Sequence, residues 1–265
     1  MEHSDRTATL DFAAALSSIG LDELNAAAAL QTRIDRKYLV PERVAQRVLA
    51  ELDATAQVLT IGGRHTFAYN SVYFDTPDHV SFLAAATGRR RRFKVRTRSY
   101  LDTGSTFLEV KTEGSRDATV KERIAYRPAD RSHLTREGID YVAETLAVAL
   151  GDACTVDPRN MRPVIETDYD RTTVYLPASE SRATVDERLV WRMPGGRAAR
   201  MAGAVVIETK SGSSPGALDR SLWAAGIRPS RFSKFATGLA ALEPTLRSNK
   251  WHRTLARDLA IVPAP

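Results

Sequence analysis

Polar and apolar residues alternate with a period of two along much of this chain, and helical spacing is confined to stretches between the alternating runs. Eight runs have the strand pattern. They are QTRIDRKYLV (31–40), TFAYNSVYFD (66–75), FKVRTRSY (93–100), STFLEVKTEG (105–114), ATVKERIAY (118–126), PVIETDYDRTTVYL (163–176), SRATVDERLVWR (181–192) and GAVVIETKSG (203–212). Helical spacing fits Leu10 to Leu30, with a break at Gly20 and Asp22 as a cap, and the stretch opened by Pro41. Further helices are expected over 78–88 with Asp78 as cap, 132–150, 215–226 and the segment after Arg231, with an appended helix in the basic tail from Arg247. The predicted fold class is α+β: an eight-stranded antiparallel β-barrel with flanking helices. Three parts are expected: an N-terminal helical segment (1–31) packed on the barrel, the barrel domain (32–243) and a C-terminal tail (244–265).

What sits on these strands is unusual. The stretch from Arg89 to Arg98 holds seven cations in ten residues. Alternation puts Lys94, Arg96 and Arg98 on one face, and likewise Glu109 with Lys111, Lys121 with Arg123, Glu208 with Lys210, and Arg33 with Asp35 and Lys37. Closed into a barrel, such strands enclose a hydrated, cationic tunnel, whose natural occupant is a polyanion. Arginine and lysine along a tunnel neutralise a chain of phosphates. Carboxylates there would repel phosphate unless they hold Mg²⁺ or Mn²⁺, hard cations that take carboxylate and phosphate oxygens together. Ser230, Arg231, Ser233 and Lys234 cluster at the start of a helix, where free N–H groups favour an anion.

Composition narrows this modestly. The 265 residues are 43% hydrophobic and 26% charged, with a net charge of +6 that favours anionic partners. No run of about twenty apolar residues is present, so no membrane segment is expected, and the first ten residues lack the apolar core of a signal peptide. A cytoplasmic location is the expectation. The lone Cys154 excludes an intrachain disulfide.

The motifs RIDRKYLV, YNSVYFDT, KVRTRSY, FLEVKT, VKERI, YDRTTVYL, ATVDERL, VVIETKSG and RFSKFATGL occur in this order from about Thr32 to Leu242. Together they resemble the VTC-type polyphosphate polymerase domain of the triphosphate tunnel metalloenzymes (the CYTH-like superfamily). The resemblance implies a triphosphate tunnel, a divalent metal (Mn²⁺ or Mg²⁺), and ATP or another nucleoside triphosphate as donor of its terminal phosphate to inorganic polyphosphate. By the same resemblance Lys37, Arg96, Arg98, Lys111, Arg171, Lys210 and Lys234 would serve catalysis, and Lys121, Arg123, Tyr169, Arg231 and Ser233 would bind substrate. Glu208 would be the leading metal ligand. Glu109 is either a second ligand or a salt-bridge partner of Lys111 or Arg98. Asp35 stands where the family more often has Glu.

Two other functions fit the same residues: a metal-dependent triphosphatase or polyphosphatase, and a non-catalytic polyanion-binding module. Nucleic acid is not an expected partner, because cations on an outer face with stacking aromatics are not evident. Arg89 to Arg92 are expected to be a solvated lead-in to the tunnel. Glu166 and Asp186 are expected to pair with arginines, and Tyr38 and Tyr73 to be core or wall residues.

Overall fold

The computed structural model describes residues 10–27, 34–113, 119–151 and 154–264. Arg33 and the start of the first predicted strand lie outside the described residues. In chain order the strands are β1 (Ser17–Ile19), β2 (Ile34–Pro41), β3 (Gln57–Leu59), β4 (Thr66–Asp75), β5 (Phe93–Tyr100), β6 (Ser105–Glu113), β7 (Thr119–Tyr126), β8 (Arg162–Leu176), β9 (Ser181–Arg192), β10 (Ala198–Ala202), β11 (Ala204–Ser211) and β12 (Ala260–Pro263). The helices are α1 (Leu21–Ala27), α2 (Glu42–Ala50), α3 (Val80–Ala86), α4 (Arg136–Leu150), α5 (Ala217–Ala224) and α6 (Lys234–Leu242).

All eight predicted strands form, and they lie in one antiparallel path, β2-β11-β9-β8-β4-β5-β6-β7. β10 and β12 branch from β9, and β3 and β1 from β8. Among the described residues the two ends of the path, β7 and β2, are not hydrogen-bonded to each other, so the curved sheet is not closed into the expected barrel. Part of the bend comes from a bulge where Arg188 (φ 52°) and Leu189 stand opposite Tyr169.

The cross-strand register decides which side chains share a face. Lys37 lies opposite Glu208, Glu208 opposite Thr184, and Arg171 opposite Asp186. Tyr169 lies opposite Tyr69, Tyr73 opposite Arg96, Arg96 opposite Glu109, and Lys94 opposite Lys111, which in turn faces Lys121. The same-face set is thus continuous from β2 to β7. The other face is apolar and carries helices. Tyr38, Val40, Val205 and Ile207 pack with α2 and α5, while Val72, Val95, Leu108 and Val110 pack with α4. Tyr38, expected in the core, is fully buried there and donates through its hydroxyl to Asp219 Oδ1 at 2.7 Å.

The charged face is not charged throughout. At one end it carries Leu39, Tyr73, Ile165 and Val206, and these join Phe235, Ala236 and Leu239 of α6 in one core cluster. α6 therefore plugs one end of the trough and leaves the cations at the other. Its approach is close: a Cβ on Gly238 would stand 2.2 Å from Trp191 Cδ1 and Nε1. Trp191 Nε1 in turn donates to the carbonyl of Lys234 at 2.8 Å, fixing the first turn of α6.

Three expectations change. The helix expected before Gly20 is a 3₁₀ turn (Ala13–Ala15) followed by β1, which pairs parallel with β3. Only α1 follows it, with 28–31 outside the described residues. The helix expected in the tail is a 3₁₀ turn, a π turn and then β12 on β10. α3 is entered from His79 in a left-handed conformation, not from an Asp78 cap; the buried Asp75 instead accepts from the backbone N–H of Ser81 and Phe82, both at 2.9 Å. Alanine-rich segments satisfy helical spacing without specifying it, so pairing with a neighbour overrides them.

The Gly238 contact gives a test of sign. Alanine in a helix interior is ordinarily better than glycine by about 1 kcal/mol, whereas overpacking costs about 1–3 kcal/mol. Gly238→Ala is expected to lower stability in urea unfolding, because the tryptophan cannot yield without breaking its bond to Lys234.

Candidate functional site: a cationic trough

Three carboxylates organise the trough, each shared among several cations. Glu109, 1% exposed, accepts from Arg96 Nε and Nη2 at 2.8 and 2.7 Å, lies 3.4 Å from Lys121 Nζ, and lies 3.8 Å from Arg98 Nε. Burial alone would raise its pKa, but these three cations overcome that and hold the carboxyl well below its usual range. Asp186, fully buried, takes a bidentate bond from Arg171 (2.6 and 2.8 Å) and a second partner in Lys234 from the first turn of α6. Glu208 accepts from Lys210 at 2.9 Å and sits 3.6 Å from Lys37; Lys210 also donates to Asp35 at 2.7 Å. Despite burial, Lys37, Lys210 and Arg171 keep Glu208 strongly ionised.

Aromatic rings line the floor. Tyr69 and Tyr169 stack at 5.3 Å, Arg171 lies over both, and Lys234 Nζ is 4.4 Å from the Tyr169 centroid. Burial would raise the Tyr169 hydroxyl pKa, but Arg98, Arg171 and Lys234 outweigh it and pull it down. Tyr73 accepts from Arg96 Nη1 at 2.9 Å and stacks on Phe235, a wall residue as expected.

Beside these balanced groups lies an unbalanced one. Lys37, Lys94, Lys111 and Ser233 line a cavity of ≈ 250 Å³ in front of α6. Lys94 donates to Ser233 Oγ at 3.2 Å, and neither Lys94 nor Lys111 has a carboxylate partner among the described residues. Burial, then Lys111, Lys37 and Arg96, pull the Lys94 pKa down to about 7. Burial and Lys37 lower that of Lys111 as well. Arg98 Nε is buried without a hydrogen-bond acceptor. Each is a donor without an anionic hydrogen-bond acceptor among the described residues, the arrangement an anion would complete.

The structure thus brings most of the sequence-predicted residues together on one face. Arg123 is exposed and stacks on Phe107 with its guanidinium 4.5 Å from the ring centroid, at the β7 edge. Arg231 is exposed at the cavity, and Ser233 caps α6 by accepting from Ala236 N at 3.2 Å. Asp186 pairs with arginine as expected, whereas Glu166 accepts from Asn70 Nδ2. Arg89 to Arg91 are solvent-exposed, but Arg92 turns into the cavity. Lys94 and Tyr69 are site residues that motif matching missed. Strict alternation with Arg96 and Arg98 was the available signal for Lys94.

The donor set bears unequally on a metal. Among the described residues no group of three or more His, Cys, Asp or Glu is placed to hold an ion. Glu208 and Asp35 offer carboxylate oxygens on adjacent strands about one lysine, which suits Mg²⁺ or Mn²⁺ taking its other ligands from phosphate and water. Glu109 accepts two hydrogen bonds from Arg96 and has Arg98 and Lys121 beside it, the geometry of an ion-pair partner, and Lys111 is not among its partners.

A family model described as the VTC domain matches residues 32–243. No protein of curated function matches the chain. Among solved structures, a candidate adenylate cyclase from Vibrio parahaemolyticus is 12% identical, with 80% of this chain and 99% of that one covered at a TM-score of 0.44. A Hippeastrum candidate adenylyl cyclase with a dominant triphosphatase activity is 15% identical, with 78% of this chain and 94% of that one covered at a TM-score of 0.43. A Pyrococcus horikoshii protein is 12% identical over 77% and 97%, at 0.42. Likenesses this distant leave the assignment resting on the family model, whose span holds all eight strands of the curved path and the three carboxylates that organise the trough. This chain belongs to the VTC domain family.

Proposed function

We propose that the chain is a polyphosphate polymerase, transferring the terminal phosphate of a nucleoside triphosphate such as ATP to inorganic polyphosphate. The observation that carries this reading is the cavity lined by Lys37, Lys94 and Lys111, where neither Lys94 nor Lys111 is ion-paired to a carboxylate among the described residues. Bringing three ammonium groups together costs free energy that a run of phosphates would return. Phosphoryl transfer asks mainly for positioning and charge stabilisation, which fixed cations provide.

In this reading Lys37, Lys94 and Lys111 grip the phosphate chain. Arg96 and Arg98, held by Glu109, present guanidinium edges to the phosphoryl oxygens where charge develops. Arg171 and Lys234 do the same from the opposite wall, held in place by Asp186. The Ser233 hydroxyl and the N–H groups at the start of α6 face the same anion. Glu208, with Asp35, would hold a divalent cation, which supplies Lewis-acid polarisation of the phosphates. Lys210, between the two carboxylates, keeps them oriented. Lys121, Arg123, Tyr169 and Arg231 contribute binding.

The deciding assay is ATP with Mn²⁺ and purified protein. A phosphate polymer on a gel together with ADP is the expected product; free phosphate alone would instead make the chain a hydrolase, and no turnover would make it a binding module. Glu208→Ala is expected to remain folded and to lose roughly a hundredfold or more in turnover. Glu109→Gln is expected to lower stability by about 3 kcal/mol through three uncompensated cations, read from denaturant midpoints. Unchanged stability in that variant would remove Glu109 from its organising role.

The lowered Lys94 pKa fixes a sign for pH dependence. A bound polyanion favours the ammonium form, so binding takes up a proton. Tripolyphosphate affinity without metal should rise by roughly threefold to tenfold per unit as pH falls from about 9 to about 7. Lys94→Met should flatten that profile, as measured by calorimetry.

A further inference from the structure

The cavity in front of α6 has a second tier of cations that the trough does not use. Arg92, from the residues leading into β5, and Lys250, from the chain after α6, line it together with Arg231. Lys250 lies beyond the span of the family match, which ends at residue 243. Its position is nevertheless built. The neighbouring Trp251 is 2% exposed and packs on Phe82 at 5.5 Å within the cluster that holds α6. Ten residues on, β12 pairs with β10 from Ala260 to Pro263. The segment that carries Lys250 is therefore held against the core.

Its ammonium group has little to satisfy it. Nζ donates to the carbonyl of Ala85 at 2.5 Å and lies 5.7 Å from the Trp251 centroid, and no carboxylate pairs with it among the described residues. Burial, Arg92 and Arg231 all disfavour its charge. Arg231 makes no hydrogen bond or ion pair among the described residues, and the acidic residue lining the cavity, Glu113, is engaged by Arg92 at 3.3 Å. The rim therefore adds positive charge to a cavity that already holds three lysines.

We propose that Arg92 and Lys250, beside Arg231, form an anion subsite at the mouth of the trough. It holds phosphate groups of a chain longer than the part lying on Lys37, Lys94 and Lys111, so that the C-terminal segment favours long polyphosphate over triphosphate. This rests on the phosphate-binding reading above.

The test compares metal-free binding of tripolyphosphate and of long-chain inorganic polyphosphate to the full chain, across a salt series, for wild type and R92Q/K250Q. Far-UV circular dichroism and thermal midpoint check that the variant is folded. The variant should lose about tenfold in affinity for the long chain and hold tripolyphosphate within about twofold. Its slope of log affinity against log salt should fall by about one to two for the long chain only. Equal weakening for both ligands, no change for either, or oligothymidylate competing as well as polyphosphate would overturn the subsite. If wild type binds neither phosphate ligand, the phosphate-binding reading falls too; if it binds tripolyphosphate and the variant loses nothing, only the subsite falls. Should R92Q/K250Q fail to fold, K250Q alone reads the same difference with half the change in slope.

Discussion

The structure depends on how a sheet can bury cations on its concave face. Removing a charge from water costs several kcal/mol unless a partner returns most of it. Glu109, Asp186 and Glu208 each do this for two or three cations, and each sits on a different wall of the trough. Because one carboxylate serves several cations, the face can stay strongly positive and still fold. Where that sharing stops, around Lys94 and Lys111, the remaining charge is available to a ligand.

The outer face makes this possible. Helices α2, α4 and α5 cover it with apolar side chains, so the stability of the sheet does not have to come from its interior. The concave face is apolar where α6 rests on it and again where Phe67 meets Ile19, Leu24 and Leu59, and the Gly238–Trp191 contact sets how deep α6 sits. The depth matters for chemistry: the first turn of α6 carries Ser233, which receives the Lys94 hydrogen bond, and Lys234, which reaches Asp186. Packing at one end of the trough thus positions charge at the other.

Alternation made much of the site readable in advance. Arg96 and Arg98 on β5, Glu109 and Lys111 on β6 and Glu208 and Lys210 on β11 share a face because strand geometry leaves no other choice once the strand is assigned. The N-terminal stretch was less legible, since an alanine-rich segment fits a helix locally and β1 exists only because β3 lies beside it. The four-arginine run departs from its expected solvated place at one residue. Arg89 to Arg91 face solvent and only Arg92 turns to the cavity, a distinction set by where β5 starts.

By itself the sequence determined the eight strands, the face each charge occupies and the helices whose apolar stripes must be covered, because these follow from periods of two and 3.6 in a single chain. Tertiary structure alone decided which charges meet. Asp186 is joined to Lys234 across 48 positions, and Lys210 to Asp35 across 175. The open edge between β7 and β2 and the return of Lys250 to the cavity were also decided there. Such pairings depend on curvature, on the bulge at Arg188 and on the depth of α6. These are properties of packed elements in three dimensions, and no local pattern of residues encodes them one strand at a time.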